Sequence, residues 1–227
     1  MERLKHTAVL RRHLPMAGAA IADVGCGDGS LVRFLTRQGA QVVGIDPSPG
    51  QLERARAQAP AGDERYMEGV GEDLPLESGS LDAVAFFNAL HHVPVPQQGP
   101  ALAEAARVLK PGGLLYVQEP IAAGAYFELM RPVEDETEVR AKAYEALQVA
   151  PRDGALEAAL EFLYEAPIGH ESFEAMTQAI VAVDETRRPR VEAQKERMRD
   201  AFEKDAEARD GKFWFYQPCR LNLLRRR

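Results

Sequence analysis

The chain has 227 residues, 45% of them apolar and 28% charged, with a net charge of −7. That length suits one α/β domain, or one domain with an embedded subdomain, and the composition supports an ordinary buried core. The acidic balance opposes a phosphate backbone as partner, and two cysteines, Cys26 and Cys219, exclude a disulfide scaffold or a four-cysteine zinc site.

In chain order, residues 3–14 read as a short amphipathic helix, with Leu4, Ala8 and Leu14 on one side. This stretch also holds Arg3, Lys5, Arg11 and Arg12, and no unbroken apolar segment follows, so no secretory leader is read here. No apolar run is long enough for a bilayer span, and a cytoplasmic protein is the expectation. A regular alternation follows. Strands are predicted over 19–24, 41–46, 65–68, 81–88 and 114–119, and helices over 30–38, 48–59 and 100–109. Ser48 reads as a helix N-cap with Pro49 at the first helical position. Residues 121–208 carry mainly helix formers, broken near Pro132, 151–154, 167–169 and Pro189, and a last strand is predicted over 213–224. The expected organisation is a core over 1–120, a helical insert or lid over 121–210, and a final strand with a solvated basic tail over 211–227.

Strands that alternate with helices need crossover connections, so the sheet is expected to be mostly parallel and doubly wound. Ligands then bind at the carboxyl ends of the strands, near the switch in strand order. Gly25–Gly29, Asp46, the 69–73 loop, Asn88 and Glu119 fall on that rim. Asp23-Val24-Gly25-Cys26-Gly27-Asp28-Gly29 joins a strand to a helix, and its alternating glycines allow a sharp turn and close approach of a ligand. Asp46 ends the next strand, where a carboxylate can accept both hydroxyls of a ribose. The third glycine of a dinucleotide fingerprint would fall at Ser30, so a nicotinamide or flavin site is disfavoured. An acidic turn suits a cationic ligand that lacks a pyrophosphate.

Five further segments extend the pattern: VVGIDPS (42–48), GEDLPLESGSLDAV (71–84), NALHHV (88–93), EAARVLKPGG (104–113) and YVQEP (116–120). With ADVGCGDGS (22–30), residues 19–119 resemble the class I S-adenosylmethionine-dependent methyltransferases. They are most similar to the small-molecule group that includes the ubiquinone-biosynthesis C-methyltransferases. The resemblance implies a Rossmann-like fold, S-adenosyl-L-methionine as cofactor and methyl transfer to a small-molecule acceptor; the charge and the lack of a long apolar run set aside nucleic acid and membrane as partners. It assigns to the cofactor Asp23, Gly25, Cys26, Gly27, Gly29, Asp46, Pro47, Gly71, Glu72, Asp73 and Asn88. Gly25, Gly27 and Gly29 would shape the methionine pocket with Asp23 beneath, Asp46 would hold the ribose, and Asn88 would lie at the methionine end. The family commonly has an acid at the place of Val70, so adenine recognition is expected to rest on backbone and on Glu72 or Asp73. A regulatory or partner protein that keeps the fold without the activity is the alternative reading.

His91 and His92 are the candidate catalytic residues, either accepting a proton from the acceptor or bracing the loop. Asp28 either caps the helix at Ser30 or touches ligand, and Glu119 either meets ligand or sits at a solvated edge. Cys26 also reads as a packing residue. Tyr126, Phe127, Tyr144, Phe162, Tyr164 and Phe173 are mostly core, with Tyr126, Phe127 or Phe173 open to the acceptor. Glu134-Asp135-Glu136 and Glu138 read as a solvated face, and no metal is expected. The insert covers the acceptor site, packs on the back of the sheet or serves as a dimer surface.

Overall fold

In a computed structural model that describes residues 1–227 apart from the side chain of Asp153, the predicted alternation is present almost element for element. After β1 (Glu2–Arg3) and α1 (His6–His13) come β2 (Ala20–Val24), α2 (Ser30–Arg37), β3 (Gln41–Asp46), α3 (Pro49–Ala57), β4 (Arg65–Glu68) and β5 (Leu81–Phe87). Then follow α4 (Val95–Val108) and β6 (Leu109–Pro120). Strand β2 pairs in parallel with β3 and with β5, β3 with β4, and β5 with β6. The strand order reverses at β2, which puts the first glycine turn at the switch point of the sheet.

The remaining elements are α5 (Ala125–Met130), α6 (Thr137–Val149), β7 (Leu156–His170), α7 (Phe173–Val183), α8 (Arg188–Ala193), α9 (Lys195–Asp205), β8 (Glu207–Arg209) and β9 (Lys212–Arg226). Hydrogen-bonded neighbours run in the order β1-β7-β9-β6-β5-β2-β3-β4, with β8 beside β9. Asp210 and Gly211, both with positive φ, close the β8–β9 hairpin as a two-residue turn. No helix is long and apolar enough to cross a membrane among the described residues.

Local chemistry explains the boundaries near the site. Ser48 Oγ accepts from the Gln51 N–H and caps α3, with Pro49 in the first turn. Asp28 Oδ1 accepts from both the N–H and the hydroxyl of Ser30, so this acid organises the entry to α2. Helix α4 starts five residues before the predicted 100–109, and Pro100 lies inside it. At the base of the sheet, Asp82 accepts from the Ala20 N–H at 2.8 Å and from Lys110 Nζ at 2.6 Å, tying together three strands.

The chain separates into two compact units. One comprises Thr7–Glu119, Val139–Phe162 and Arg220–Arg227. Its core joins Val24, Ile45, Phe86, Leu90, Leu102 and Val117 to Leu147, Leu156 and Leu224. The other comprises Met1–His6, Pro120–Glu138 and Leu163–Cys219. Its core is built around Phe173, Met176, Ile180, Met198, Phe202 and Phe215, with the Phe202 ring 5.7 Å from that of Phe173 and 5.0 Å from that of Phe213. Each such buried apolar side chain stabilises its unit by about 1.5–3 kcal/mol. The division differs from the expected segments 1–120, 121–210 and 211–227.

The expected helical insert needs a correction. It contains helices, but residues 156–170 form strand β7, so Leu156, Leu160 and Leu163 are strand positions. Ala, Leu and Glu favour helix in isolation, yet tertiary pairing overrides so weak a preference. Within the second unit Glu2 pairs with Tyr164 and Arg3 with Glu165. Phe162, Tyr164, Ala166 and Ile168 recur with a period of two, the strand signature that the composition masks.

The Met1–His6 segment is anchored by His6, whose Nδ1 lies 2.8 Å from the Tyr164 hydroxyl, and burial lowers its pKa to about 4. The unfolded value is 6.5, so between these limits the unfolded chain binds more protons and stability falls as pH falls. We expect wild-type protein to lose more stability than His6→Gln between about pH 7 and about pH 5. Equal losses in denaturant titrations of the two proteins would refute this linkage.

Candidate functional site

The rim of the sheet forms from two strand-to-helix turns locked by one carboxylate. Asp46 Oδ2 accepts from the Gly27 N–H at 2.9 Å, and Oδ1 accepts from the Ser48 N–H at 2.9 Å. The Gly25 and Cys26 N–H groups donate to the Ile45 carbonyl at 2.8 and 3.1 Å, which draws the glycine turn across the end of β3. Gly25 has a φ of 75°, and a Cβ there would lie 2.7 Å from the Ala89 Cβ. Gly27 has a φ of 53°, and a Cβ there would meet nothing closer than Gln51 Oε1 at 4.0 Å, so it faces open space.

That space is a cleft of about 580 Å³. Its walls include Gly25, Gly27, Asp46, Pro47, Gly71, Glu72 and Asn88 of the predicted set, and His92 of the candidate catalytic pair. Four predicted residues do not line it. Asp23 lies beneath the turn with 1% of its surface exposed, and Cys26 is buried close to Gly44. Gly29 abuts Tyr66, and Asp73 makes a backbone bridge with Val70. Sequence reasoning missed Ser48, Gln51, Phe86, Ala89 and Val93 as wall residues. The cap sequence at 48–51 would have pointed to the first two, because the first turn of a helix after a strand end faces the same rim. Phe86 and Ala89 carried no such signal.

The electrostatics are one-sided. Asp46 and Glu72 are on the walls, and no Lys or Arg is among the described lining residues. Asp23 Oδ1 has no hydrogen-bond partner, and burial together with the neighbouring Asp46 charge pushes its pKa up to about 8. Burial also raises the Cys26 thiol, which leaves it unreactive at neutral pH.

Beyond the glycine turn, residues 88–92 are fastened to the end of β6. Asn88 has a φ of 52°, its N–H donates to the Gln118 carbonyl, and its Oδ1 accepts from Gln118 Nε2 at 3.0 Å. Glu119 Oε1 accepts from the Ala89 and Leu90 N–H groups at 3.2 and 2.8 Å, while Oε2 is paired with His91 Nδ1. Glu119 is therefore a buried brace, rather than the ligand contact or solvated edge expected from its rim position.

The fold is one that S-adenosylmethionine-dependent methyltransferases share. Residues 22–117 match the family model of the methyltransferase domain. The chain is 39% identical over 97 residues to an uncharacterised methyltransferase of Synechocystis sp., covering 43% of this chain and 45% of that protein. It is 38% identical over 120 residues to a demethylmenaquinone methyltransferase of Clavibacter sepedonicus, covering 52% and 48% of the two chains. It is 40% identical over 119 residues to a ubiquinone biosynthesis O-methyltransferase of Xanthomonas oryzae, covering 51% and 49%. The chain thus spans about half the length of the curated relatives it matches. Among solved structures, the YcgJ protein of Bacillus subtilis superposes with a TM-score of 0.65 at 18% identity, over 98% of both chains. An S-adenosylmethionine-dependent methyltransferase of Mesorhizobium loti superposes with a TM-score of 0.56 at 22% identity, over 96% of both. At these identities the structures speak for the fold.

Two predictions follow from the carboxylates. Asp46→Ala removes charge-assisted hydrogen bonds worth about 1.5–3 kcal/mol each. We expect S-adenosylmethionine affinity to drop by about tenfold or more while far-ultraviolet dichroism is retained, and unchanged affinity by calorimetry would remove Asp46 from the site. Asp23 holds a proton below about pH 8, whereas a bound cation favours its carboxylate. Binding should release that proton, so affinity rises with pH up to about 8 and then levels. Calorimetry in two buffers of different ionisation enthalpy should show the release in wild type and not in Asp23→Asn. Identical heats in both buffers for wild type would exclude it.

Proposed function

We propose that this chain transfers a methyl group from S-adenosylmethionine to a small-molecule acceptor, leaving S-adenosylhomocysteine. The observation that carries the reading is the cleft at the switch point, lined by Asp46 and Glu72, underlain by Asp23, and without a Lys or Arg among its described wall residues. Such a site favours a cationic ligand and disfavours a pyrophosphate, since desolvated charges of one sign select against anions. When bound, the cofactor supplies a methyl group already electrophilic on its sulfonium. Asp46 retains acceptor capacity on both oxygens beyond its two backbone bonds, enough for the ribose hydroxyls. Gly25 and Gly27 leave room for the methionine part beside the turn, and Phe86, Val70 and Gly71 offer an apolar slot for adenine beside Glu72. The names of the quinone-pathway relatives support a small acceptor rather than a macromolecule.

The protein's task in such a reaction is to align donor and acceptor and to exclude water, because positioning alone supplies much of the rate. The test is calorimetric titration with S-adenosylmethionine, followed by an acceptor screen read out as S-adenosylhomocysteine release. We expect micromolar-range binding, about −8 kcal/mol, and turnover with at least one small acceptor. Failure to bind either cofactor form would overturn the reading, and binding without turnover of any acceptor would favour a regulatory role.

A further inference from the structure

The 88–92 turn carries more bracing than a connecting loop requires. Glu119 is 9% exposed and spends both carboxylate oxygens on this turn. Burying a carboxylate costs several kcal/mol, so it persists only where its bonds are complete. Its third partner is not backbone but the ring of His91, itself 4% exposed. The His91 ring centroid lies 4.0 Å from that of His92, tilted by 43°. His92 is the exposed member, and it stands on the cleft wall with Asn88 and Val93. Gln98 holds the far side of the turn, donating from Nε2 to the Val93 carbonyl at 3.2 Å.

The geometry points to His92 as the catalytic base of methyl transfer, with Glu119, acting through His91, as its positioning residue, and to an acceptor that carries a phenolic or enolic hydroxyl. This rests on the methyl-transfer reading of the same cleft. A neutral amine attacks through its lone pair without first losing a proton and a thiol ionises more readily than a phenol, whereas a phenol stays protonated at neutral pH and gains from a base at its oxygen. In the step, the O–H proton passes to an imidazole nitrogen of His92, the oxygen forms a bond to the methyl carbon, and the carbon–sulfur bonding pair stays on sulfur. The products are a methyl ether, a thioether and an imidazolium, and the exposed ring returns its proton to water. The ionisable groups around His92 in this unit are His91 beneath it, Glu119 behind His91, and Asp46 and Glu72 across the cleft. The carboxylates among them all favour the imidazolium once it forms.

The test uses the full chain with catechol and hydroquinone as acceptor probes. Ring nitrogen NMR, which needs no acceptor, should show His91 protonated at Nδ1 in wild type and lose that signature in Glu119→Gln. Calorimetry with S-adenosylhomocysteine on each variant establishes that the cofactor product still binds before turnover is compared. With a phenol as acceptor, His92→Asn should lower kcat by about 100-fold and abolish the acidic limb of the pH profile, with KM little changed. Glu119→Gln should lower kcat less and displace that limb. Where Glu119→Gln fails to fold, His91→Asn interrupts the same relay one residue later and should give the same displacement. Wild-type pH profile and kcat in His92→Asn would overturn the inference, as would an unchanged His91 tautomer in Glu119→Gln. Tight S-adenosylhomocysteine binding with turnover of thiols or amines alone, or of no phenol, would overturn it while leaving the cofactor site standing. Absence of any cofactor binding would instead overturn the methyl-transfer reading beneath it.

Discussion

The rim depends on the Asp46 carboxylate. Two backbone N–H groups from two different turns, those of Gly27 and Ser48, converge on its two oxygens. Charge-assisted bonds of this kind are about twice as strong as neutral ones, and here they fix the mouth of one βα turn against the start of the next helix. The Gly25 and Cys26 N–H groups reinforce the closure at the Ile45 carbonyl. The cleft is therefore defined by backbone geometry before any ligand enters, which is the preorganisation that a positioning enzyme needs.

The same logic recurs at the neighbouring strand end. Glu119 does for the 88–92 turn what Asp46 does for the glycine turn, accepting backbone N–H groups from a segment some thirty residues away in sequence. Both carboxylates sit at the carboxyl ends of parallel strands, where the chain leaves the sheet and its amides lack ladder partners. An acid at that position satisfies orphan donors and sets the local field. The cleft walls carry carboxylates and no Lys or Arg among the described residues, and Asp23 below adds a group poised between its charged and neutral forms.

The two units are stabilised differently. The unit that holds the cleft buries side chains on both faces of a parallel sheet, Val24 and Ile45 on one and Ile21 and Val42 on the other, as such sheets require. The other relies on an aromatic cluster around Phe202, in which rings meet at tilted or edge-on angles that suit their quadrupoles. The aromatic residues Phe173 and Phe215 thus have packing partners of their own, and Tyr126 packs against Phe215 and His170.

The sequence by itself determined the parallel α/β core, the glycine turn, the strand ending in Asp46 and the rim that includes Asn88 and His92. These features rest on local signals: hydrophobic runs of strand length, caps such as Ser48-Pro49, and a glycine spacing that only one kind of turn accommodates. Tertiary structure alone decided the rest. Residues 156–170 became a strand because they lie beside β9 and because Tyr164 and Glu165 pair with Glu2 and Arg3 more than 150 positions away, partners that no window along the chain contains. Glu119 became a brace rather than a solvated edge because the Ala89, Leu90 and His91 groups happen to converge on it in space. Asp23, Cys26 and Gly29 belong to the motif yet lie behind the cleft wall, since motif order records chain position while a wall is set by which atoms face the void. Propensity and period act over a few residues; long-range pairing and burial act over the whole fold, and they settle what the local terms leave nearly balanced.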